Sequence, residues 1–181
     1  MTESGAVREL LRDSFTRLIE HVEQVADGLT EEVSCWRPTP EANSIAWLLW
    51  HSARCQDLQL CDIAGVQQVW TREGWDERFA LDLPRQGDPD FDVAKDIGYG
   101  HSAEDVGKVR PPVGLLVEYY RAVHDLTLEY VAIVTGDELA RIVDDRWDPP
   151  VTASARPVSI VDDCAQHLGQ AAYVRGIAAH R

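Results

Sequence analysis

Residues 43–55, NSIAWLLWHSARC, place a histidine in the middle of an apolar helical run. Leu48, His51, Cys55 and Leu58 recur at three- and four-residue steps, the period of one helix face, and Asn43 or Ser44 stands where an N-cap belongs. Gly65 ends the run. Outward from it, the same period predicts three more helices. Leu11, Phe15, Leu18, Val22 and Val25 mark one from about Val7 to Val25, closed by Gly28. Leu116, Tyr120, Val123, His124, Thr127, Leu128 and Val131 mark another, running from Pro112 to about Val134 with Gly136 as its stop. Ser159 and Asp162 resemble a capping box that opens the last, to about Ala179, with Ile160, Asp163, Cys164, His167, Ala171 and Val174 as its stripe. Four such helices predict an all-α bundle.

Two stretches lack the period. From Gly65 to Pro112, Gly, Pro and Asp accumulate around Trp70, Trp75, Phe79, Phe91 and Tyr99. That predicts a long loop between helices two and three, with short helical turns admitted; connections of this length commonly cover a functional site. From Asp144 to Pro157, Trp147-Asp148-Pro149-Pro150 predicts extended or turning chain.

With 181 residues, 45% of them apolar, the expectation is one domain over residues 1–181 with a sizeable core. The balance of 17 basic against 31 acidic residues, a net charge of −14, repels phosphate backbones and argues against nucleic acid as a partner. No apolar run approaches the ~20 residues of a membrane span, and the N-terminus lacks an apolar signal core. The expectation is a cytoplasmic protein without membrane partners. The four cysteines include no C-x-x-C pair and are expected to be reduced. Cys55 and Cys164 fall on apolar stripes and are expected to be buried structural thiols.

Polar residues on apolar faces carry the candidate chemistry. Asp163 and His167, four apart, share one side of the last helix and are expected to reach the core. A buried carboxylate requires a cation, a proton or several donors. A divalent metal satisfies it and also accepts the neutral imidazole of His167, with His51 as third ligand from a facing helix. Three ligands leave coordination open, and an N/N/O set suits Zn²⁺ but also Fe²⁺, Mn²⁺, Ni²⁺ or Co²⁺. The plainer readings are a hydrogen-bonded core histidine at His51, and a buried pair of Asp163 with His167 or with Arg54. His124 is a fourth ligand, a group supporting the ligands, or core. His101, in Gly98-Tyr99-Gly100-His101, lines a pocket or sits exposed. Trp47 and Trp50 are not expected both to face inward, so one of them lines a cavity. His21 and His180 read as surface residues.

The run from Asn43 to His51, followed by DCAQHLGQ at residues 163–170 and by Arg175-Gly176, resembles the DinB-like metal-binding four-helix bundle superfamily over nearly the whole chain. The resemblance implies a divalent-metal site on His51, Asp163 and His167. Many members carry His-x-x-x-His on the last helix, whereas Asp163 stands first here, as in the mycothiol-dependent branch. That branch's isomerase has an additional C-terminal domain; this chain stops at Arg181, which points to the small single-domain mycothiol S-transferases. The implied activity is metal-dependent conjugation of mycothiol to a small electrophile, a detoxification chemistry. Zinc is the first expectation for the metal, mycothiol the cosubstrate, and Tyr99, His101 and His124 the substrate-binding residues. The partners expected are a small-molecule thiol and an electrophile, with a homodimer as the assembly to test. A metal-dependent hydrolase and a non-catalytic ligand- or partner-binding bundle are the other classes the same residues allow.

Overall fold

The computed structural model describes residues 3–83 and 95–180 of the chain. Four long helices form the frame: α1 (Glu3–Ala26), α3 (Ile45–Ala64), α7 (Val113–Ile133) and α9 (Ala155–Ala178). Short pieces join them: α2 (Glu31–Ser34), α4 (Val69–Arg72), α5 (Trp75–Phe79), α6 (Ala103–Lys108), α8 (Gly136–Ala140), and a two-stranded antiparallel ribbon of β1 (Ile142–Asp144) and β2 (Val151–Thr152). The all-α four-helix bundle is therefore borne out, with the ribbon as an addition that two- and three-residue strands are too short to announce. Among the described residues, no helix is long and apolar enough to cross a membrane.

Helix boundaries follow from local chemistry. The Ser44 hydroxyl accepts the Trp47 amide at 3.1 Å and starts α3. Gly65, at φ +66°, ends it in the left-handed conformation that a side chain resists. The last helix starts a full turn earlier than Ser159 and Asp162 suggest. Ser159 is inside it, its hydroxyl donating back to the Ala155 carbonyl at 3.0 Å. Pro157 is tolerated because its missing amide falls in the first turn, where amides have no helical partner. Gly136 does not stop α7 either: the chain leaves helix at Val134, Thr135 caps α8, and Gly136 is that helix's first residue.

The long connection is partly built. The turns α4, α5 and α6 lie within Gly65 to Pro112, while Phe91 falls outside the described residues. Phe15, Leu48, Leu60, Leu116, Ile160 and Leu168 fill the centre of the bundle almost without exposure. Each such side chain contributes roughly 1.5–3 kcal/mol by leaving water. Trp47 and Trp50 are both buried, at 6% and 1% exposure, against the expectation that one would turn away. The chain at residues 96–101 covers this flank of α3, so a helix face that would otherwise meet solvent is also interior.

A polar network inside the core fixes how α3, α4 and α7 meet. The Asp57 carboxylate accepts the Tyr119 hydroxyl at 2.7 Å, the amides of Val69 and Trp70 at 2.9 and 2.8 Å, and Arg54 Nη1 at 3.3 Å. Arg54 also donates to Gln68 Oε1 at 2.9 Å, and its guanidinium lies 4.7 Å from the Trp70 ring centre. Arg54 is thus committed to Asp57 and does not pair with Asp163. Cys55 and Cys164 are buried free thiols, as expected from their stripes. His21 and His180 are exposed.

Candidate metal centre

Helix α3 supplies His51 and helix α9 supplies Asp163 and His167. Cys164 and Leu168 are the buried residues of α9 at this level, so Asp163 and His167, one position earlier, sit about 100° round the helix. They therefore line the seam between α9 and α3 and do not reach the bundle axis. Their side chains keep 24% and 20% exposure, against 1% for His51, which corrects the expectation that both reach the core. A site at the seam is open to small molecules from one side.

One ligand atom from each of the three residues lies within 4.8 Å of the others. Asp163 Oδ1 is 3.6 Å from His167 Nε2, and Asp163 Oδ2 is 3.9 Å from His51 Nε2. Oδ2 is shielded from solvent and has no hydrogen-bond partner. Such an orphaned anionic oxygen, facing a ring nitrogen on a neighbouring helix, fits a divalent cation held by two imidazoles and a carboxylate.

Charge states agree with that fit. Burial pushes His51 below the ordinary histidine range, so it is neutral, the form a metal accepts. The His167 imidazole, 3.6 Å from Oδ1, holds Asp163 below the usual carboxylate range despite its burial. The Asp163 carboxylate in turn raises His167. Asp163 and His167 therefore stand as a pair, one of the plainer readings of the sequence, and a cation would compete with the proton that Asp163 favours on His167.

His51 is gripped on several sides. Its Nδ1–H donates to the Ile97 carbonyl, which leaves the Nε2 lone pair facing Asp163. Trp47 stacks on the ring, 4.6 Å between centres and 10° between planes. His167 and Tyr99 meet it edge-on at 4.6 and 5.4 Å. Cys55 Sγ is 3.5 Å from Nε2 and 3.7 Å from Nδ1. Near-equal distances place the sulfur beside the ring and off the Nε2 lone-pair direction. Burial, then Asp163, drives the Cys55 thiol far above its ordinary value, so it remains protonated.

The expected substrate-binding residues separate. Tyr99 is at the mouth, 62% exposed, with its hydroxyl donating to Asp163 Oδ1 at 3.4 Å. Burial of that hydroxyl, with Cys55 and Asp163 beside it, pushes it up to about 12, so it stays a donor. His101 is neither an exposed loop residue nor one of the three ligands. Its side chain, 6% exposed, accepts the Trp47 indole N–H on Nδ1 at 3.1 Å and faces Asp96 through Nε2 at 3.1 Å. His124 is buried on α7, where desolvation lowers it and its charged neighbours are Asp125 and Glu23, outside the cluster. Sequence reasoning missed Asp96 and the Ile97 carbonyl. The signal was the Gly-Tyr-Gly-His turn two residues later, whose compactness implies something close beneath it.

The fold has counterparts. No curated protein matches the chain. The crystal structure of a conserved protein from Enterococcus faecalis superposes with a TM-score of 0.85 at 33% identity, covering 97% of this chain and 98% of that one. The model of the mycothiol-S-transferase family matches residues 10–179. With the DinB-like bundle and its His/Asp/His cluster in place, that match over nearly the whole length shows that the chain belongs to the mycothiol-S-transferase family.

Proposed function

We propose that the chain is a metal-dependent thiol S-transferase that joins mycothiol to a small electrophile, with a divalent ion, zinc in the first instance, held by His51, Asp163 and His167. The observation that carries this reading is the solvent-shielded Asp163 Oδ2, which has no partner although it faces His51 Nε2 at 3.9 Å. A divalent ion at such a site lowers the pKa of a coordinated thiol, so that a thiolate is available at neutral pH.

The protein's own residues would do the rest. His51 arrives neutral and fixed in one tautomer. Asp163 contributes the anionic oxygen, and His167 would bind as the neutral imidazole. Trp47 closes one face of His51 to water, while Tyr99, at the exposed mouth, offers a hydroxyl donor beside Asp163. The two substrates are small molecules, a thiol and an electrophile, and they enter from the seam side.

Protein purified without a metal-binding tag should carry stoichiometric metal. Mixed with mycothiol and a chromogenic electrophile, it should give metal-dependent conjugation, with glutathione serving poorly. Loaded protein that does not exceed the uncatalysed rate with mycothiol or bacillithiol, across several electrophiles, overturns the reading.

A further inference from the structure

We infer that residues 96–101 form a clasp, with Asp96 and His101 as positioning residues that hold His51 in its metal-binding tautomer. The inference rests on the metal-centre reading above, and neither residue is one of the ligands.

The clasp is fastened at every turn. The Asp96 carbonyl accepts Arg54 Nε at 3.1 Å, which ties the segment to the buried Arg54–Asp57 network. The Asp96 side chain, 9% exposed, accepts the Gly98 amide at 3.0 Å and folds the chain into a tight turn. It also faces His101 Nε2 at 3.1 and 3.3 Å. An indole N–H can only donate, so His101 Nδ1 is the acceptor for Trp47 and Nε2 carries the proton given to Asp96. The His101 ring stacks on Trp50, 5.6 Å between centres and 15° between planes. Its amide closes back on the Gly98 carbonyl at 3.2 Å.

All of this surrounds one group. Ile97, between Asp96 and Gly98, points its carbonyl at His51 Nδ1. A carbonyl can only accept, so it selects the Nδ1–H tautomer and leaves the Nε2 lone pair for a cation. Gly98 makes the approach possible: its φ is +97°, and a Cβ there would lie 2.8 Å from Trp47 and 3.2 Å from His51 Nδ1. Trp47 closes the loop of interactions, since it stacks on His51 and donates to His101. Asp96 therefore acts on His51 twice, through the Ile97 carbonyl and through Trp47.

The test reads the histidine directly. Nitrogen-15 NMR of metal-free protein should show His51 as the Nδ1–H tautomer. Asp96→Ala should shift it toward a mixture of tautomers and lower affinity for Zn²⁺ by roughly 10- to 100-fold, the usual cost of losing a group that orients a ligand. Asp96→Asn, which still accepts from Gly98 and His101, should restore both. Trp47→Phe keeps the stacking and removes only the indole donor, so it should loosen His101 and weaken Zn²⁺ several-fold. That variant serves if Asp96→Ala does not fold. An Nε2–H tautomer in the wild-type protein, or unchanged Zn²⁺ affinity in folded Asp96→Ala, overturns the clasp. Wild-type protein that shows the Nδ1–H tautomer but binds no Zn²⁺ overturns the metal reading on which it rests, so the two failures are distinguishable.

Discussion

His51 Nε2 and Asp163 Oδ2 face each other across 3.9 Å, from two different helices, and the carboxylate oxygen has no hydrogen bond. Folding alone brings them together, so a cation that bridges them binds the native state and not the unfolded chain. Metal should therefore stabilise the protein by linkage. At free Zn²⁺ about a hundred times its Kd, the gain is about 2.7 kcal/mol. For a chain of this length that corresponds to a rise of about 5 to 10 °C in Tm. Calorimetry of chelator-treated and reloaded protein, with metal content verified, measures it. Equal melting temperatures would count against a cation at this position.

Asp163→Asn keeps the size of the side chain and a carbonyl oxygen but removes the negative charge. Metal affinity should fall by at least the roughly 10- to 100-fold seen when a supporting group is lost. The helical content should be unchanged, because Asp163 lies at the seam and the adjacent core position is Cys164. In the metal-free variant, His167 also loses the negative charge that raises it, so NMR titration should find its pKa lower than in the wild type. Retention of full affinity would mean that the cation, if bound, sits elsewhere.

The four-helix frame was legible because each long helix writes its buried face at a 3.6-residue period, and Ser44 and Gly65 punctuate it with residues suited to caps. The ligand set was legible for a related reason, since His51, Asp163 and His167 are polar where that period asks for apolar side chains. Depth was not legible. A stripe in sequence is about two residues wide, so Asp163 and Cys164 look alike, although one lies at the seam and the other in the core. The clasp was illegible because its central contact is a backbone carbonyl, which every residue has. Trp47 and Trp50 misled for the same reason: the sequence of α3 does not say that residues 96–101 cover its second face.

Gly98→Ala probes that cover. The new Cβ would need a left-handed φ of +97° and would come within 2.8 Å of the Trp47 ring. The conformational strain alone costs roughly 1–3 kcal/mol, and relief of the clash moves the Ile97 carbonyl or the Trp47 ring away from His51. Both stability and metal affinity should drop, and Trp47 fluorescence should change. Gly114→Ala, with nothing within 4 Å of its Cβ in helix α7, is the control and should leave the site unaltered. A Gly98→Ala protein that binds metal as the wild type does would show that the carbonyl contact is dispensable.

The Arg54–Asp57 pair is buried at 0% exposure on both sides and carries the junction of α3, α4 and α7. Asp57→Ala removes the carboxylate that the buried guanidinium pairs with on α3 and strips the caps from Val69 and Trp70. The expected loss is roughly 3–5 kcal/mol, read by denaturant unfolding in the presence of chelator so that metal plays no part. Replacing both partners together, Arg54→Met with Asp57→Leu, should recover part of that loss because the buried guanidinium is removed with its carboxylate. If Asp57→Ala unfolds at the wild-type denaturant concentration, the network is not what holds this junction.

Metal loading and pH are linked through His167. Its pKa is raised by the neighbouring Asp163 carboxylate, so the stabilisation from this pair is fully present below the ordinary histidine value of about 6.5 and is lost as pH rises through the raised native value. A cation requires the neutral imidazole and takes over Asp163, so it competes with that proton. His51 contributes little to the competition near neutrality, because burial already holds it below its ordinary value. Apparent metal affinity should therefore rise with pH until His167 has lost its proton, and then level off. Below that point each bound ion should displace close to one proton, and above it almost none. Calorimetric titrations in two buffers of different ionisation enthalpy, repeated from about pH 5.5 to about pH 8.5 to span the ordinary histidine range, count the protons directly. His167→Ala should abolish both the binding and the proton release. Binding in the wild type with no proton release anywhere in that range would show that His167 is not a ligand.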